Sequence, residues 1–178
     1  MRGAALLLLA LAACSKSTPP EPVEQPTPPK PASATASAAP AASSSAVEVT
    51  WTAPFGWKES IGNKMRKATY VVAPDAEMTV SAAGGGVEPN VRRWSEQFGN
   101  AKPKTEKKKV NGLDVTTVEL EGPYAAMGAP AAVADQMLLG AVVDLGESQW
   151  FFKLTGPKKT VTSARGDFEK LVASLHAK

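Results

Sequence analysis

Glu119 and Glu121 are the first residues whose type and spacing suggest chemistry. Two apart on a strand, they point the same way, and carboxyl groups roughly 5–9.5 Å apart can hydrolyse a glycosidic bond. Val118 and Leu120 fill the alternate positions and turn inward, so the glutamates face water, where neither carboxyl is shifted enough for acid chemistry. Ordinary cross-strand charge pairing accounts for them. Gly84-Gly85-Gly86 before a helix invites a phosphate cradle. No G-x-x-x-x-G-K-[ST] or G-x-G-x-x-G pattern follows, and Glu88 would repel an anion there, so the glycines read as a turn. The single histidine, His176, lies beyond the last apolar position of a terminal helix, a frayed place for a catalytic base. Without it a serine hydrolase needs a Ser–Lys dyad, and no S-x-x-K occurs in residues 47–178. One cysteine excludes an intrachain disulfide and a cysteine-rich metal site. No catalytic residue, metal or cofactor is expected.

That cysteine has a different use. Met1-Arg2 precedes an apolar run from Ala4 to Ala13, too short for the ~20 residues that span a bilayer but right for a signal peptide. Leu11-Ala12-Ala13-Cys14 resembles the bacterial lipobox, which implies cleavage after residue 13 and diacylglycerol on Cys14. Each buried CH₂ contributes roughly 0.8 kcal/mol, and two or more chains anchor a protein stably. Ser15, rather than aspartate, follows the cysteine; by resemblance to Gram-negative lipoproteins this implies delivery to the outer membrane, facing the periplasm.

Composition then divides the 178 residues. Residues 15–46 hold eight of the fifteen prolines and no aromatic side chain, so residues 14–46 are expected to be a disordered Pro/Ala/Ser-rich tether. Residues 47–178 hold all four tryptophans, both tyrosines and all five phenylalanines, and so form the single domain.

Two surface groups of that domain remain. Lys102, Lys104, Lys107, Lys108 and Lys109 could attract anionic lipid or wall polymer. Alternatively they guard an edge strand, with Asn111-Gly112 setting Lys109 opposite Asp114. The domain's net charge is only +2, with 17 Lys and Arg against 15 Asp and Glu. Nucleic acid is not expected, because no aromatics interleave the lysines and the compartment is wrong. The second group is Trp57, Arg92, Tyr124 and Met127, taken with a loop over residues 122–134 of small residues and two prolines. Loops of this length in compact domains are functional or disordered, and Tyr124 is either an interface anchor or packed back on the sheet edge.

The elements that must position these residues are strands with two helices. Alternation predicts strands at Val47–Trp51, Met65–Val72 and Met78–Ala82. Val91, Trp94 and Phe98 mark a helix closed by Gly99. Asn111-Gly112 predicts one hairpin, and a second joins Met137–Val143 to Trp150–Thr155. Val161, Ala164, Phe168, Leu171, Val172 and Leu175 mark a terminal helix. Leu113 and Val115 are odd-numbered while Val118 and Leu120 are even, which predicts a β-bulge near Thr116-Thr117. The fold class is α+β, a mainly antiparallel sheet flanked by helices.

Trp51-x-x-Pro54-x-Gly56-Trp57, Met65-Arg66-x-Ala68-x-Tyr70, Gly84-Gly85-Gly86 leading to Asn90-Val91-x-Arg93-Trp94, and Trp150 to Pro157 resemble an uncharacterised family of secreted bacterial lipoproteins. The element order resembles the Mog/PsbP-like α/β/α sandwich. PsbP is an extrinsic photosystem subunit and the Mog proteins bind the GTPase Ran, so the resemblance implies binding or assembly. The leading expectation is a non-enzymatic, lipid-anchored module that supports an envelope protein. The alternatives are a wall glycan or peptide hydrolase using carboxylates, and a spacer that touches peptidoglycan through its lysines.

Overall fold

The computed structural model describes residues 47–60 and 65–178; the leader, Cys14 and the tether lie outside the described residues. The chain runs β1 (Val49–Thr50), β2 (Lys58–Ser60), β3 (Ala68–Ala73), β4 (Ala76–Ala83), α1 (Val87–Gln97), β5 (Lys104–Val110) and β6 (Leu113–Tyr124). It continues through β7 (Val133–Asp144), β8 (Gln149–Pro157), α2 (Lys158–Ser163), α3 (Arg165–Ala173) and β9 (His176–Ala177). Seven strands form one sheet in the order β2-β3-β4-β8-β7-β6-β5, and every neighbouring pair is antiparallel. The expected α+β class, mainly antiparallel, is what the chain adopts. β5 to β8 are a continuous meander, and α1 is the crossover from β4 to the far edge. The Asn111-Gly112 turn forms as expected, both residues at positive φ.

The central strands of this sheet are buried on both faces. Met78, Val80, Leu139, Phe152 and Leu154 meet Val161 of α2 and Phe168, Leu171 and Val172 of α3. Val118, Leu120, Leu138, Val142 and Phe151 meet Val91, Trp94 and Phe98 of α1 and its cap. Double burial explains the unbroken apolar run Met137–Val143, since side chains on either face of β7 leave water.

It also corrects the expected bulge. β6 pairs with β7 in continuous register from Asp114 to Gly122, passing through Thr116 and Thr117 without interruption. Leu113 and Val115 are buried against the α2–α3 side, and Val118 and Leu120 against the α1 side. A strand with two dry faces needs no shift of parity. The irregularity lies between Gly122 and Tyr124 instead.

Four further differences concern ends. Val49 and Thr50 form only a short strand, outside the main sheet. β2, all exposed, carries no apolar alternation to betray it. The terminal helix is broken at Ala164 (φ −85°, ψ −2°), two residues before Gly166, a weak helix former. His176 does not sit on a frayed helix end. It belongs to β9, opposite Thr50 of β1, and Lys178 N–H donates to Glu48 O at 2.8 Å. Asn111 Nδ2 ties the same segment down, donating to Leu175 O at 2.9 Å.

Candidate functional site

β6 and β7 extend as a hairpin to the pair Tyr124↔Val133, so the loop is shorter than the expected 122–134 and spans 125–132. Ala125 N–H donates to Gln97 O at 2.8 Å, which satisfies a carbonyl at the end of α1 and pins the hairpin there. The Tyr124 ring lies 4.8 Å from that of Phe98. Across the sheet, Lys153 of β8 donates from Nζ to Gln97 Oε1 at 2.9 Å and to Tyr124 OH at 3.2 Å. The ammonium also lies 5.0 Å from the Tyr124 ring centroid, a cation–π distance. Beside this cluster runs a groove of about 390 Å³ lined by Val71, Pro74, Glu77, Tyr124, Gln136 and Thr155. Arg66 Nη1 donates to Glu77 Oε1 at 2.8 Å.

Burial lowers the Lys153 amine to about 8; the charge of Arg66 acts in the same direction and that of Glu77 opposes it. Burial and Glu77 raise the Tyr124 hydroxyl, with Arg66 opposing. At neutral pH the pair is therefore an ammonium donating to a neutral phenol.

The four residues expected to form a partner surface do not share one. Trp57 packs 6.3 Å from Tyr70 and joins the α2–α3 side of the core, opposite to Tyr124. Arg92 is exposed on α1 beside Glu96, at 3.9 Å. Tyr124 and Met127 do belong together on the hairpin, where Met127 is 84% exposed and Val133 59%. Lys153 and Gln97 belong to neither of the surface groups expected from the sequence. The readable signal was a lysine set inside the apolar run Trp150–Leu154.

The five lysines sit as the edge reading expects. Lys104, Lys107, Lys108 and Lys109 lie on β5, an edge strand, exposed throughout, and Lys102 precedes it. Lys109 is opposite Asp114 and bonds it at 2.7 Å. Pairing with β6 places Lys104 and Lys108 on the α2–α3 side and Lys107 and Lys109 on the α1 side, so these four do not make a one-sided basic face. Glu119 pairs with Lys104 at 3.0 Å and Arg165 at 2.7 Å; Glu121 pairs with Lys158 at 2.6 Å. Gly86 N–H, the donor a phosphate would need, already donates to Gln149 Oε1 at 2.9 Å.

Glu119 yields a pH prediction. Burial raises its pKa, but hydrogen bonds and charge from Arg165 and Lys104 outweigh this and leave it below the ordinary 4.5. A depressed carboxyl stabilises the fold fully above its unfolded value, and that contribution is lost as pH falls through the folded value. Glu119→Gln is therefore expected to be less stable than wild type at neutral pH, with the gap closing below about pH 4. Urea titrations across the acid range measure this; a constant gap contradicts it.

No family model matches the sequence, and no curated protein does. Among solved structures, the chain is similar to the solution structure of cyanobacterial PsbP (CyanoP) from Synechocystis. The TM-score is 0.50 at 12% identity, over 74% of this chain and 92% of that one. It is also similar to a protein from Bacteroides thetaiotaomicron, with TM-score 0.45 at 16% identity over 73% of this chain and 45% of that one. A Pseudomonas aeruginosa protein of unknown function, described as a putative regulator, gives TM-score 0.45 at 12% identity, covering 74% and 84%. The fold is thus PsbP-like. Among the described residues, no helix is long and apolar enough to cross a membrane, and no group of His, Cys, Asp or Glu is placed to hold a metal.

Proposed function

We propose that this is a lipid-anchored envelope protein whose domain, a three-layered α/β/α sandwich of the Mog/PsbP kind, binds and supports a protein partner in the periplasm. Cys14 carries the lipid, residues 1–13 are removed, and residues 14–46 hold the domain away from the lipid surface, by roughly 30 Å as a coil and up to ~100 Å at full extension. The observation that carries the binding role is the β6–β7 hairpin. It holds out Met127 and Val133, 84% and 59% exposed, and Val133 pairs with Tyr124, which lines the groove. Flexible methionines suit partner surfaces, and two exposed apolar side chains on one hairpin offer a partner apolar area to cover. A carboxylate hydrolase gains no support from Glu119, which two cations hold ionised.

The test is capture of partners by in-cell crosslinking of the full, lipidated chain. Met127→Ser with Val133→Ser removes apolar surface without touching the core, and recovery of one dominant protein is expected to fall about tenfold. Tyr124→Ala is a poorer probe, because it also removes the Phe98 contact. Cys14→Ser is expected to leave the membrane fraction. Recovery of wall fragments alone, unchanged by the double variant, contradicts the binding role and favours wall contact.

A further inference from the structure

Among the described residues, two cations of the domain are drawn out of solvent, Arg165 and Lys153. Arg165 has Glu119 at 2.7 Å. Lys153 has no carboxylate within ion-pair distance among the described residues; its partners are the neutral Gln97 and Tyr124 oxygens. The nearby Glu77 is already neutralised by Arg66. A half-buried ammonium without a counter-ion is a standing cost, and such a cost bonded to Tyr124, a lining residue of the groove, points to a charge supplied from outside.

We propose that Lys153 is the cationic centre of a carboxylate-binding site, which takes an acidic side chain from an extended segment of a partner protein lying in the Tyr124 groove. The inference rests on the binding role proposed above and names the chemistry of its partner. A single ammonium matches the charge of a carboxylate better than that of a phosphate dianion. The Tyr124 hydroxyl, which accepts from Lys153, is free to donate its own proton to the incoming oxygen. Val71, 43% exposed in the groove, and Val133, paired with Tyr124, suit apolar residues on either side of the acid. The charged and titratable groups around Lys153 are Tyr124, Glu77 and Arg66. Since the amine loses its proton near 8, binding weakens as pH rises beyond that value.

The probe is an acetylated, amidated peptide of alternating valine and aspartate, compared with its valine–asparagine analogue, on the full lipidated chain in detergent. The acidic peptide is expected to protect Lys153 from acetic anhydride and to bind about tenfold more weakly at pH 9.5 than at pH 7. The asparagine peptide is expected to do neither. Lys153→Met should bind the acidic peptide at least about tenfold more weakly while its melting temperature is unchanged or a few degrees higher, because an unpaired charge has left a half-buried place. Lys153→Arg should retain binding. Equal effects of the two peptides, full binding by Lys153→Met, or no binding of the acidic peptide at millimolar concentration would each overturn the site. If Lys153→Met captures the cellular partner as well as wild type while the Met127/Val133 variant does not, the binding role stands and the carboxylate site falls.

Discussion

Gln149→Leu is expected to destabilise the domain by about 1–3 kcal/mol, although leucine has nearly the same volume. Gln149 is 1% exposed and ties the β7–β8 turn to the start of α1. Its Oε1 accepts from Gly86 N–H at 2.9 Å; its Nε2 donates to Gly146 O at 2.8 Å and to Asp144 Oδ1 at 3.1 Å. The bond to Gly86 serves the start of α1, whose own N-cap is a glycine and offers no side-chain oxygen. Leucine fills the space and leaves the part-buried Gly86 N–H unpaired, a loss of roughly 1–3 kcal/mol, while the Gly146 carbonyl of the exposed turn is reached by water. Urea unfolding with an unchanged slope measures the loss, and amides of residues 87–91 should exchange faster. A loss under about 0.5 kcal/mol would mean that water replaces the side chain at no cost.

Gly140→Ala is the second large effect, expected to cost about 1–3 kcal/mol. A Cβ at Gly140 would meet Trp94 Cζ3 at 2.5 Å and Leu138 Cδ2 at 3.2 Å. Trp94 belongs to the packed core under α1, 6.0 Å from the Phe151 ring, and has little room to withdraw. The strain reaches the candidate site as well. Gly140 is the register partner of Lys153, and Gln97 follows Trp94 by three positions on α1. Moving Trp94 tilts the helix that supplies the Gln97 oxygen. Lys153 should then be more hydrated and titrate above 8. An unchanged Lys153 titration in a destabilised Gly140→Ala would show that the helix absorbs the clash without tilting.

Residues whose burial follows a local pattern were legible in the sequence. Val91, Trp94 and Phe98 gave α1, Asn111-Gly112 gave its turn, and Lys109 fell opposite Asp114 as alternation requires. The exception is β6, where the expected bulge presupposes a sheet with one dry face. Leu113, Val115, Val118 and Leu120 demand a bulge only if all four point the same way, and a second helical layer removes that demand. β9 was illegible for another reason: two exposed residues acquire strand geometry only by pairing with β1, 126 positions away across Thr50 and His176. The site followed the same division. Tyr124 and Met127 stood out by type and setting. Lys153 acquires meaning only when folding brings Gln97 and Tyr124 to its amine, and Trp57 and Tyr124 part company because they sit on opposite faces.

Photo-crosslinking in intact cells from single positions of the lipidated chain tests the binding role most directly. A photoreactive residue placed at 127 or 133 is expected to give one dominant protein adduct, and the same residue at Lys107 on the edge strand or Lys170 on α3 none. Equal labelling from all four positions, or adducts confined to the lysine edge, would contradict a partner held at the β6–β7 hairpin.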